Sequence, residues 1–199
     1  MNDIIISPCS KGDIPDLVNI AIASYREHYT HLWHDGGEEY LKRHFTNKII
    51  YREWAEPDTA FFMLYFKGNL VGFMKLVSNN AFAGNSPDEC LELERLYMIK
   101  AVSGAGIGTE AVAFALNYAQ NMGKKMVWLK AMDSSADVIR FYERTGFRKC
   151  ATFVLDTPEM KEEFRGMYVM QQELTVEGVS TLRKDFVTAS VYQEEVSLA

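Results

Sequence analysis

The chain predicts a mixed α/β (or α+β) architecture: one domain over residues 1–174, with a sheet of about seven strands and about four flanking helices. Three observations lead there. Short strand-forming runs alternate with stretches of helical periodicity. No internal repeat, low-complexity tract or interdomain linker interrupts that alternation. The 199 residues, 48% hydrophobic and 24% charged, are enough to enclose one substantial core.

The first strand is Ile4-Ile5-Ile6. Asp13 followed by Pro15 opens a helix whose apolar positions run through Leu17, Ile20 and Ile22. A second helix is expected over 38–47. The run Ala60 to Phe66, the turn Lys67-Gly68-Asn69 and the run Leu70 to Val77 make a β-hairpin. Residues 79–89, rich in Asn, Gly, Ser, Pro and acids, form a loop before a strand over 91–99. A helix over 107–121, a strand over 126–131 and a helix over 135–145 follow. Strands near 149–155 and 165–174 complete a mixed sheet. Residues 175–199 show no clear period, and an added strand, a partner-facing arm and a frayed end all stay open for this C-terminal extension.

A formal net charge of −6 opposes binding to nucleic acid, whose affinity rests on lysine and arginine contacts to phosphate. A cationic ligand suits this field better. Cys9, Cys90 and Cys150 are far apart and include no C-x-x-C pair, which argues against a zinc knuckle or disulfide scaffold and for reduced thiols in a cytoplasm. Met1 to Pro8 carries an acid where a signal peptide carries basic residues, and no segment approaches transmembrane length, so no membrane association is expected.

Ser103-Gly104-Ala105-Gly106-Ile107-Gly108-Thr109 leaves the strand that ends near Met98 and Ile99 and runs directly into a helix. A strand, a glycine loop and a helix start together make an anion site. The glycines let backbone N–H groups approach phosphate oxygens, and the helix N-terminus adds partial positive charge. The loop is neither a Walker A motif nor a full G-x-G-x-x-G, and by itself it also reads as a plain strand-to-helix turn. It resembles the pyrophosphate-binding signature R/Q-x-x-G-x-G/A of the GCN5-related N-acetyltransferase (GNAT) superfamily. Ser103 stands where that family commonly has Arg or Gln, which leaves more of the binding to backbone amides.

The stretch Asp133 to Phe147 resembles the GNAT pattern N-x-x-A-x-x-F-Y-x-x-x-G-F at Ala136, Phe141, Tyr142, Gly146 and Phe147, with Asp133 in place of Asn. Asp133 is expected to cap the helix, and Gly146 to follow its last turn. An isolated Phe-Tyr pair more often packs a helix on a sheet. Here the glycine loop upstream and the spacing to Gly146 favour Tyr142 as a general acid that protonates a departing thiolate.

The resemblance implies a mostly antiparallel central sheet and an acetyltransferase using acetyl-CoA as co-substrate, with no metal. It implies cofactor contacts at Met98, Ile99, Ser103 to Thr109, Asp133, Ala136 and Phe141, with a backbone N–H near Met98 stabilising the oxyanion. A base is needed to deprotonate the amine. Glu94, and next to it Glu92, fall on one face of the preceding strand and suit that role, directly or through water. They also read as a pair of surface carboxylates bridged to Lys75 or near Arg95. Tyr25, Tyr29, His31, Trp33, Asp35, Glu38 and Glu39 lie where the family walls its acceptor pocket, and they supply aromatics and acids suited to a cationic amine. His28, His31 and His34 recur every three residues, but Asp35-Gly36-Gly37 signals a loop and no cysteine or carboxylate cluster joins them, so no metal site is expected.

Residues 60–147 look similar to bacterial spermine/spermidine-type N-acetyltransferases, which implies transfer to a primary amine such as a polyamine. A homodimer is compatible with the resemblance. Two other readings stay open. One is a protein or peptide N-acetyltransferase, which needs a wide groove; the other is a non-catalytic coenzyme A-binding domain, which needs no Tyr142.

Overall fold

A computed structural model describes residues 3–82 and 84–174. The expectations for 175–199 lie outside the described residues. Seven strands, β1 (Ile4–Pro8), β2 (Thr59–Phe66), β3 (Asn69–Ser78), β4 (Cys90–Met98), β5 (Met126–Met132), β6 (Arg148–Val154) and β7 (Gly166–Glu173), form one sheet in the order β1-β2-β3-β4-β5-β7-β6. Every neighbouring pair is antiparallel except β4 and β5.

Among the described residues, five α-helices cover the two faces. On one lie α1 (Ile14–Tyr29), α2 (Glu38–His44) and α3 (Asn47–Trp54); on the other lie α4 (Ile107–Asn121) and α5 (Ala136–Arg144). This double cover explains the unbroken apolar run of β2. Phe61 and Met63 pack under α1–α3, while Phe62 faces the α4–α5 side. The β2–β3 turn places Lys67 at φ 50° and Gly68 at φ 78°, the left-handed pair a two-residue hairpin needs.

One helix over 38–47 was expected, and the structure has two in the region. The break comes at Phe45, which turns inward to 2% exposure at φ −122°, ψ 63°. Thr46 then caps a new helix, its hydroxyl accepting from the Ile49 amide at 3.3 Å. Burying one aromatic ring overrode the local helical period, which raises the helix count to five.

A β-bulge in β4 does most to shape the site. Lys75 opposes Arg95 but Leu76 opposes Leu93, so Glu94 is the extra residue. A bulge bends its strand and increases its twist. It follows directly on the last β4–β5 pair, Glu92 with Trp128. Beyond that pair the two parallel strands separate, and β5 continues on β7 alone.

Candidate active site

The separation of β4 from β5 opens a cavity of about 520 Å³. Its walls are Leu93 to Met98 of β4, Lys130 to Met132 of β5, and Val138, Phe141 and Tyr142 of α5. Tyr25, Tyr29, Leu32, Trp33, Tyr40, Arg43 and His44 close it on the α1–α2 side. The β6–β7 connection crosses its mouth with Leu155, Thr157 and Met160.

That connection is fastened to the α1–α2 segment. Met160 bridges Trp33, the His34 amide donates to Glu159 O at 3.2 Å, and the Lys161 amide donates to Leu32 O at 2.9 Å. Lys161 Nζ also donates to His31 O, and Arg43 pairs with Glu159. The cavity is therefore a roofed chamber.

At the end of β4 the Ile99 amide donates to Val71 O at 3.0 Å. By antiparallel alternation the Met98 amide and carbonyl point away from β3, to the side that β5 has left. The carbonyl is met by His28 Nε2 at 3.0 Å. A carbonyl only accepts, so Nε2 carries the proton. This contact anchors the end of α1 to the end of β4.

The glycine loop follows. Gly104 and Gly106 take φ of 78° and 83°, and Gly106 is the N-cap of α4. Among the described residues the amides of Gly106, Ile107, Gly108 and Thr109 have no backbone acceptor, whereas Ser103 and Ala105 donate to Lys100 O and Val102 O. Four free donors at the start of a 15-residue helix suit a phosphate. Gly108 lets the helix start close on its neighbours, since a Cβ there would meet Phe141 Cζ at 3.2 Å and Met98 Cε at 3.3 Å. The loop thus fits coenzyme A without an arginine or glutamine at position 103.

Tyr142 lines the chamber at 8% exposure, between Phe141 and Phe147. Its hydroxyl has no hydrogen-bond partner among the described residues. Burial, reinforced by nearby Tyr29, pushes the phenol well above its ordinary pKa. Burial, reinforced by Tyr40, also pushes Tyr29 up to about 12. Both phenols are protonated at neutral pH.

Asp133 does not cap α5. Its amide donates to Gly166 O at 3.0 Å, which carries it along β7, and its carboxylate fills the space above Gly166. The helix starts later, with Ser135 at the N-cap. Ala136 opens that helix, and Phe141 connects it to Gly108.

Glu92 and Glu94 both fall on the α1–α3 face, but in different surroundings. Glu94 lines the chamber, where Lys75 Nζ and Arg95 Nη2 hold its oxygens at 2.8 Å and 3.2 Å. Glu53 from α3 completes this buried cluster, 2.8 Å from both Lys75 Nζ and Arg95 Nη1. The bulge makes it, by turning Arg95 to the same face as Glu94. Glu92, 2% exposed, lies outside the chamber wall. Asn80 Nδ2 donates to its Oε2 at 2.6 Å, and Lys130 Nζ lies 2.9 Å from its Oε1, out of line for a hydrogen bond.

Of the acceptor-wall residues expected from sequence, Tyr25, Tyr29 and Trp33 line the chamber. Trp33 Nε1 donates to Tyr25 Oη at 2.8 Å, and Tyr40 stacks on Tyr25 at 4.8 Å between ring centroids. The acids do not line it. Asp35 accepts from the Gly37 and Glu39 amides, Glu38 pairs with Arg26, and Glu39 pairs with Lys42. The three histidines diverge: His28 meets Met98 O, while His31 lies edge-on to Phe164. The sequence reading missed Tyr40, Arg43 and His44, whose signal was the i, i+4 spacing of Tyr40 and His44 on one short helix.

Residues 18–147 match the family model described as Acetyltransferase (GNAT) family. The chain belongs to the GNAT acetyltransferase family. It is 23% identical over 158 residues to an uncharacterized N-acetyltransferase in the pepI 3′ region of Lactobacillus delbrueckii subsp. lactis, covering 77% of this chain and 90% of that one. In fold it resembles a PaiA N-acetyltransferase from Thermoplasma acidophilum solved with coenzyme A, at TM-score 0.63 and 20% identity over 86% and 99% of the two chains. It also resembles a variant of the spermidine N-acetyltransferase SpeG from Vibrio cholerae, at TM-score 0.65 and 14% identity over 87% and 95%. This GNAT protein is accordingly an acyltransferase that uses acetyl-CoA. No helix among the described residues is long and apolar enough to cross a membrane.

Proposed function

We propose that this enzyme transfers the acetyl group of acetyl-CoA directly to the primary amine of a small molecule held in the aromatic chamber. The roof over that chamber carries the reading. A peptide acceptor needs an open groove, and the β6–β7 connection closes the chamber against the α1–α2 segment. A cationic amine, including a polyamine, is the narrower reading within this class. The π faces of Tyr25, Tyr29, Trp33 and Tyr40 and the carboxylate of Glu94 favour it.

In this reading the free amides from Gly106 to Thr109 take the pyrophosphate within the loop Ser103 to Thr109, and Ala136 and Phe141 flank the cofactor as it enters between β4 and β5. The Met98 amide donates to the thioester oxygen as it gains charge, with Ile99 fixing that strand end on β3. Tyr142 gives its proton to the leaving thiolate. Glu94 draws the ammonium form of the acceptor into the chamber, and Glu92 positions Lys130 on its wall. Transfer needs neither a metal nor an acyl-enzyme. Three unpaired cysteines, two of them buried, favour a reducing compartment such as the cytoplasm.

The test is an acetyl-transfer assay over polyamines, aminoglycosides, amino acids and peptides, run with wild type and Tyr142→Phe. Transfer to a small amine, with kcat at least ~100-fold lower in the variant and coenzyme A affinity unchanged, supports the proposal. Preference for a peptide, or coenzyme A binding with no transfer to any amine, refutes it.

A further inference from the structure

The acceptor reaches the chamber as an ammonium ion and needs a base with a free site. Neither glutamate expected in that role presents one to the chamber. Both oxygens of Glu94 are held by Lys75 and Arg95. Glu92 lies behind Lys130, outside the chamber wall. His44, the last residue of α2, is the remaining ordinary proton acceptor on the acceptor side of the wall. Its ring packs on Tyr40 at 4.3 Å between centroids, and neither ring nitrogen has a hydrogen-bond partner among the described residues. The side chain is half-buried, so it borders the chamber on one side and water on the other.

We propose that His44 is the general base that takes the proton from the acceptor's ammonium group. The assignment rests on the acetyl-transfer reading above. An N–H bond of the ammonium breaks and its proton passes to the imidazole. The freed nitrogen pair bonds to the thioester carbon, and the C–S bond breaks. The sulfur takes the Tyr142 proton, the second proton leaving the nitrogen restores the phenol, and the imidazolium releases its proton to solvent. One ammonium ion and one acetyl thioester thus give one amide, one thiol and one proton.

The electrostatic setting fits a base that is neutral at pH 7. The charged and titratable groups facing His44 are Arg43 and Tyr40 on its own helix, Glu53 from α3, and Glu94 and Arg95 from β4. Burial first, and then the Arg95 guanidinium, lower the imidazole below its ordinary value of 6.5, against the opposing pull of Glu53 and Glu94. A lowered pKa keeps the ring unprotonated where it has to accept.

The experiment follows kcat against pH for wild type and His44→Gln. It uses whichever of spermidine, tyramine, kanamycin or methionine the wild type acetylates fastest, because kcat reports groups in the ternary complex. The wild-type profile should fall on its acidic side with an apparent pKa below 6.5. His44→Gln should lower kcat about 100-fold at neutral pH and abolish that acidic limb, with coenzyme A affinity by calorimetry unchanged. Added imidazole should restore part of the rate in His44→Gly. A His44→Gln rate within about threefold of wild type, well under the ~100-fold a base supplies, overturns the assignment, as does a loss that leaves the limb in place or a failure of imidazole rescue. Absence of wild-type transfer to all four amines overturns the acetyl-transfer reading and this assignment together. Wild-type transfer with an unaltered His44→Gln profile overturns the assignment of His44 alone.

Discussion

Lys75 Nζ lies 2.8 Å from Glu94 Oε2, on neighbouring strands with both side chains largely withdrawn from water. With Glu53 and Arg95 the pair forms a cluster of two cations and two anions at the wall of the chamber. Two charges of each sign meet there because the bulge at Glu94 presents consecutive β4 residues to one face. The cluster ties α3 to the strand whose bending opens the chamber, so the stability of that packing and the shape of the site depend on the same contacts.

The cluster predicts acid sensitivity. Burial alone would raise the Glu53 carboxyl, but Arg95 and Lys75 outweigh it and hold the group below its ordinary range. Glu53 therefore contributes stability that is fully present above the unfolded carboxyl value near 4.5 and is lost as pH falls through the lower folded value. Chemical denaturation between pH 7 and pH 3 should show that loss. Glu53→Gln should flatten this part of the profile and lower stability at pH 7 by about 3 kcal/mol, because Lys75 and Arg95 then share one anion. An unchanged pH profile would assign the acid response to other carboxylates.

At the glycine loop, Gly108→Val should act on cofactor binding before chemistry. A β-branched side chain must displace the Phe141 ring and the Met98 methyl, which a Cβ alone already meets at 3.2 and 3.3 Å. KM for acetyl-CoA should rise by about tenfold or more, with kcat within about threefold of wild type, as uniform binding is lost. Unchanged KM would mean that the cofactor does not lie against this helix start.

Thr46→Ala tests the break between α2 and α3. Removing the hydroxyl that accepts from the Ile49 amide should lower stability by about 1 kcal/mol. The variant should keep its coenzyme A affinity, since the cap lies outside the glycine loop. A denaturation midpoint equal to wild type would show that Phe45 burial alone sets the break.

Much of the fold could be read along the chain because each element carries its own local signal. The hairpin turn at Lys67 and Gly68, the apolar run of β2 and the glycine-led start of α4 are encoded within a few residues of where they act. The same holds for Tyr142, whose helix carries its motif in one segment. The break at Phe45 was not legible. A helical period extends smoothly across 38–47, and only the space beneath α2 gives Phe45 a reason to turn inward. Asp133 misled for a related reason, since its position before a helix reads as a cap while its amide follows β7.

Whether a carboxylate is free to act as a base is a matter of partners remote in sequence. Glu94 meets Lys75 from the neighbouring strand, and the cluster is closed by Glu53 from a helix 42 residues before Arg95. The sequence by itself determined the two segments on which the proposed acetyl-CoA site rests. A glycine loop at a helix start and a tyrosine in a spaced helical motif are local arrangements, each encoded within one stretch of chain. The tertiary structure alone decided the chamber proposed for the acceptor. A bulge separates two strands, and a distant connection roofs the gap. Packing across α2, α3 and β4 binds the carboxylates in ion pairs and leaves a histidine unbonded at the chamber wall.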